Sequence, residues 1–179
     1  MRNYKNYLAL FFAIVALTFV TVNAQSSGDS RTLEQRIYKR ILGVTDYGIF
    51  DNITFELQGS TVTLHGKVYS LGTIGQAERE VKKLPGVETV IDQIEQLPAS
   101  PSDDEIRKRA FVAFVNSGAS QYFATPRPEV RIIVENGRLT LEGHVNNQAH
   151  SDSLNVLAHG IQGVLSVQNN LIVGEDTLR

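Results

Sequence analysis

The chain has 179 residues, 42% of them hydrophobic and 20% charged, with a formal net charge of −2, five prolines and neither cysteine nor tryptophan. That composition fits one or two ordinary globular domains and argues against a disordered, collagen-like or strongly nucleic-acid-binding chain. Without cysteine, an exported fold has to be held by its core rather than by disulfides.

The first element reads as a leader. Met1 to Tyr7 carries Arg2 and Lys5 and no acid, Leu8 to Val20 has only Thr18 as a polar residue, and Val22-Asn23-Ala24 supplies small residues at the two positions a signal peptidase reads. Residues 1–24 are therefore expected to be a secretory signal peptide cleaved after Ala24, so that the mature protein is exported. The alternative is a retained anchor, for which the apolar run is short against the roughly 20 residues of a spanning helix. No cysteine follows the run, so no lipoprotein anchor is expected and any membrane association would be peripheral. Loss of Arg2 and Lys5 leaves fifteen basic against nineteen acidic side chains, a net charge of −4. A chain of that charge has no global field for DNA, RNA or anionic lipid, so no nucleic-acid partner is expected and any such binding is local.

Leu33, Ile37 and Ile41 then recur at helical spacing. Ile53, Phe55 and Leu57 alternate with polar residues, as do Val62, Leu64, Gly66 and Val68, which predicts two half-buried strands joined through Gln58-Gly59-Ser60. Helical spacing returns in Ile74, Ala77, Val81 and Leu84, and Pro85-Gly86 ends that helix, glycine suiting the left-handed residue beyond it. A closing strand runs from Val87 to Ile94, and residues 98–101, with two prolines, read as a stiff linker.

The same order then repeats. Ser102-Asp103-Asp104-Glu105 is a capping-box pattern ahead of the stripe Ile106, Ala110, Ala113 and Phe114. Val130, Ile132 and Val134 lead through Asn136-Gly137, a strong hairpin signal, to Leu139, Leu141, Gly143 and Val145. Leu154, Ala158 and Ile161 form a helix ended by Gln162-Gly163, and Val164 to Val173 forms the last strand before a tail, residues 174–179. Ile53 to Ile94 aligns without a gap onto Val130 to Leu171 at an offset of 77 residues: Thr63-Leu64-x-Gly66-x-Val68 falls on Thr140-Leu141-x-Gly143-x-Val145, and Gly86-Val87-x-x-Val90 on Gly163-Val164-x-x-Val167. The expected fold class is α+β: two αββαβ repeats, residues 30–97 and 102–173, each a small three-stranded mixed sheet packed on one side by two helices.

With the hairpin pattern x-Val/Leu-Thr-Leu-x-Gly-x-Val and the run Gly163-Val164-Leu165-Ser166-Val167-Gln168-Asn169-Asn170-Leu171 in the closing strand, the chain resembles the BON domain family, named for bacterial osmotically induced and nodulation proteins. The first repeat departs from the pattern at Asp92, where the family usually has Asn, and over Val44 to Phe50. The resemblance implies a tandem, exported module, periplasmic or outer-membrane-associated, that binds phospholipid and supports the integrity of the envelope under stress, and that is not an enzyme. Its motif residues, Gly66, Val68, Gly86, Val87, Gly143, Val145, Gly163, Val164 and Asn169, are read as fold-determining. Gly66 and Gly143 are expected to face inward and let a helix pack closely, and Asp92 and Asn169 to bond to nearby backbone.

Nothing in the sequence asks for catalysis, a metal or another cofactor. His65 and His144 alternate away from the core, His150 and His159 are nine residues apart, and no metal-ligand spacing, nucleophile elbow or phosphate loop is present. The anomaly is the first helix of each repeat. Phe111, Val112 and Val115 fall on the far side from the Ile106 stripe, with Arg107, Lys108 and Arg109 beside them; Tyr38 and Leu42, near Arg36, Lys39 and Arg40, are the weaker counterpart. Three uses of this face stay open: packing against the other repeat, contact with anionic phospholipid, or binding an envelope protein or a second copy. Tyr122, Phe123 and Arg127, in a loop between Ser117 and Pro128, fit either a membrane interface or a lid on the core.

Overall fold

A computed structural model describes residues 23–178, with side chains from Thr32 onward. The predicted leader lies outside the described residues except for Asn23 and Ala24. The elements in chain order are α1 (Asn23–Leu42), β1 (Asn52–Gln58), β2 (Thr61–Val68), α2 (Leu71–Lys82), β3 (Thr89–Gln96), α3 (Pro101–Val115), β4 (Val130–Glu135), β5 (Arg138–Val145), α4 (Gln148–His159) and β6 (Ser166–Val173). Both repeats, from Glu34 onward, lie in one compact unit.

Each repeat is a three-stranded mixed sheet with its hairpin strand in the centre, in the orders β1-β2-β3 and β4-β5-β6. β1 runs antiparallel to β2, and β2 parallel to β3; the second sheet has the same pairing. Asn136 and Gly137, both at positive φ, make the two-residue turn that the Asn-Gly pair predicts. One face of each sheet carries the core. In the second repeat Ile106, Ala110 and Phe114 of α3 and Leu154 and Ala158 of α4 close over Ile132, Leu139 and Leu141. Each large apolar side chain fully buried there is worth about 1.5–3 kcal/mol.

Four local expectations are corrected. The cap of α3 is Ser100, whose Oγ accepts from Asp103 N at 3.2 Å with Pro101 in the first turn, so the helix starts ahead of Ser102. The carboxylate of Asp103 turns inward and accepts from the amides of Asn136 and Gly137, pinning the hairpin turn. α2 and α4 end at Lys82 and His159, and Gly86 and Gly163, both at positive φ, belong to the turn that leads into the closing strand. Gly66 and Gly143 are required by the neighbouring strand rather than by a helix: both have positive φ, and a Cβ would stand 2.0 Å from the carbonyl oxygen of Asn52 or Glu129. Asp92 Oδ1 accepts from Ile94 N and Asn169 Oδ1 from Leu171 N, local bonds along the two closing strands.

The atypical stretch between α1 and β1 joins the repeats. Ile49 and Phe50 pack against the core of the second repeat, and Ile132 N donates to Ile49 O at 2.8 Å. Arg131 is buried, donates from Nη1 to Gly48 O at 3.0 Å and stacks 4.6 Å from the centre of the Tyr47 ring. Asp51 fixes the loop by accepting from Gly48 N and Tyr69 N, both at 2.6 Å, although burial pushes its carboxyl above the usual range. Lys67 and Glu135 form an ion pair across the same boundary, and the Glu135 partner holds the Lys67 ammonium above its ordinary pKa.

Candidate functional site

The far face of α3 divides into buried and exposed parts. Arg107 is only 2% exposed: Nη1 donates to Asp104 Oδ1 at 2.6 Å, Nη2 to Val134 O at 2.5 Å, and the guanidinium lies 5.1 Å from the Tyr69 ring of the first repeat. It is thereby corrected from a surface cation to a residue that ties α3 to β4 and to the first repeat. Tyr122 and Phe123 are likewise buried and cannot reach a bilayer. Tyr122 Oη accepts from Asn146 N and meets His150 Nδ1 at 2.7 Å, and Phe123 stacks on Phe114 with centroids 5.1 Å apart. Val115 is half-buried against the second core, and Arg127 stays exposed on its loop.

Phe111 and Val112 remain exposed, at 37% and 57%. Lys108 and Arg109 precede them by one turn. Lys108 Nζ donates to Glu105 Oε1 at 2.9 Å, which holds the lysine above and the glutamate below their ordinary pKa values, and Arg109 Nη1 donates to Gln162 O at 3.1 Å. Both cations are exposed, and surface pairs of this kind are weak enough to exchange partners. The second helix of the layer adds Val156, 70% exposed, which the sequence reading did not single out. Its signal was available, since it lies off the Leu154–Ala158–Ile161 stripe as Val112 lies off the Ile106 stripe.

The corresponding face of the first repeat is different. Buried Ile37 and Ile41 occupy the places of Ala110 and Phe114, which sets Tyr38, Lys39 and Leu42 where α3 has Phe111, Val112 and Val115. Tyr38 Oη donates to Asp176 of the tail, and Leu42 lines a groove with Leu178. Among the described residues no group of three or more His, Asp or Glu is placed to hold a metal ion, and no helix is long and apolar enough to cross a membrane.

The family model of the BON domain matches residues 29–98 and again 102–175. The chain belongs to the BON domain family. Its two BON domains stand in tandem and coincide with the two three-stranded sheets. No curated protein matches the chain. Among solved structures it is similar to the C-terminal domain of CdsD, a structural protein of the type III secretion system of Chlamydia trachomatis, at 15% identity, 75% coverage of this chain, 96% of that one and a TM-score of 0.32. A second CdsD structure matches at 14% identity, with 76% and 91% covered and a TM-score of 0.33.

Proposed function

We propose that this tandem BON protein is a non-enzymatic, exported envelope module that docks peripherally on anionic phospholipid through Lys108, Arg109, Phe111 and Val112. The observation that carries the reading is that Phe111 and Val112 stand exposed beside two cations, while on the matching face of α1 Tyr38 is tied to the tail and Leu42 shares a groove with Leu178. Inserting two half-exposed apolar side chains is worth about 2–3 kcal/mol, and each cation near an anionic surface adds about 1 kcal/mol. The sum describes weak, reversible, salt-sensitive association that needs anionic lipid, consistent with a mature charge of −4 that offers no general attraction. Export through the leader and a role in envelope integrity belong to the same proposal, supported by the leader pattern and the family.

Vesicle flotation tests it. The mature chain should rise with vesicles containing phosphatidylglycerol, not with phosphatidylcholine alone, and Phe111→Asp or Val112→Asp should abolish the effect. If the chain stays at the bottom with both lipids, or if Phe111→Asp changes nothing, the face serves a soluble protein-interaction or chaperone-like module with no direct lipid binding.

A further inference from the structure

The two repeats leave a groove of about 250 Å³ on the open face of the second sheet, at the side of β1. Its apolar wall is built by Leu42, Phe55, Ile172 and Leu178 with the ring of Tyr38. Of its ionisable groups three are acids, Glu129, Glu142 and Asp176, against Arg131 and His144, and Glu175 and Asp176 line the adjoining cleft with His144. The lone arginine in the wall, Arg131, has its guanidinium committed to Gly48 O and the Tyr47 ring. Glu142 is half-buried and receives a hydrogen bond from the neutral amide of Asn170 at 2.7 Å, so a cation entering the groove would meet a carboxylate already partly stripped of water.

Size and charge together choose the occupant. The volume is below the roughly 300–1,000 Å³ of a small-molecule site, and suits one or two large side chains. Acids around an apolar wall repel a phosphate headgroup and attract an ammonium or guanidinium. β1 is an edge strand of its sheet, and Ile53, Thr54 and Phe55 run along the groove; Tyr47 Oη accepts from the Ile53 amide at 3.0 Å, so an extended backbone has room beside β1 from Thr54 onward. We propose that this groove docks an extended segment of a protein partner in which a large apolar side chain lies next to a lysine or arginine. The site is separate from the α3 face and does not depend on the membrane reading.

The test is fluorescence anisotropy of the mature chain with labelled pentapeptides carrying Leu, Ile, Phe or Tyr between two lysines, each paired with a twin carrying two glutamates. At least one lysine peptide should bind, and its glutamate twin should bind about tenfold more weakly or worse, a difference of about 1.4 kcal/mol. Ile172 is 57% exposed, so Ile172→Arg keeps the fold, checked by circular dichroism, while setting a guanidinium of the chain's own in the groove. It should weaken the peptide about tenfold, with Phe111→Asp leaving binding unchanged. Absence of binding by every lysine peptide, equal binding of the twins, or an Ile172→Arg chain that binds as the parent does would each overturn the proposal.

Discussion

The outer faces of α1 and α3 begin from one helical pattern and end in different surroundings. Tyr38 and Leu42 in α1 meet the tail that follows β6, through the Tyr38 hydrogen bond to Asp176 and the wall shared with Leu178. The chain that follows β3 is spent otherwise: beyond the Leu97 N to Val68 O bond, which Gly174 N to Val145 O repeats after β6, it supplies Ser100 to cap α3. Phe111 and Val112 therefore stay exposed. The difference shows that duplicating a domain duplicates its helices but not what covers them, because the covering segment comes from beyond the repeat.

The largest expected effect comes from removing the first repeat altogether. Residues 99–179 alone would lose Ile49 and Phe50 from the edge of the core and the Tyr47 ring from Arg131. Two large side chains, each partly buried, are worth about 3 kcal/mol together. The fragment should unfold at a lower urea concentration than residues 25–179, or fail to fold. Equal midpoints would show that the repeats share a chain without sharing stability.

Next in size is Arg107→Ala. It leaves Val134 O without the guanidinium donor and removes the stem from between α3 and Tyr69, a loss of about 2–3 kcal/mol in chemical denaturation. The folded protein should still float with anionic vesicles as before. Lys108→Ala and Arg109→Ala should do the reverse, moving stability by under about 0.5 kcal/mol and weakening vesicle binding about fivefold each. If Arg107→Ala proved neutral for stability and lowered flotation, the division of the α3 face into a structural and a contact half would be wrong.

Much of this fold is legible in the sequence because each repeat is organised by short-range rules. Alternation in Val62, Leu64 and Val68 sets the inner face of β2, and Asn136-Gly137 adopts the positive φ pair that its turn demands. The sequence is less legible wherever a second segment decides. Gly143 looks like a packing glycine until β4 is laid beside it and Glu129 O occupies the space of a Cβ. Arg107 sits on the flank of its helix, 100° from Ile106, and its surroundings there are set by Val134 O and by the Tyr69 ring of the other repeat, neither of which local spacing shows. The exposure of Phe111 and Val112 is legible because a helical wheel needs only local spacing, whereas the burial of Tyr122 and Phe123 depends on their loop folding back to Phe114.

The smallest effect probes the cleft between the repeats through pH. Glu142 lines the groove together with Asn52 of the first repeat, and burial raises its pKa while the Asn170 amide pulls in the opposite direction. The native state therefore holds this proton more tightly than the unfolded chain. Its contribution to stability is fully present below the unfolded carboxylate value of about 4.3, and it is lost as pH rises through the folded value. Glu142→Gln cannot ionise and keeps an acceptor for Asn170, so its stability relative to the parent should rise as pH climbs from about 4.3 through the folded value. The expected shift is small because the carboxylate is only half-buried. Wherever the fragment 99–179 folds, the same substitution should show less of this pH dependence, since Asn52 and its strand no longer exclude water from Glu142. An identical pH profile in fragment and whole chain would mean that the second repeat buries this glutamate by itself, and that the first repeat contributes nothing to the electrostatics of the groove.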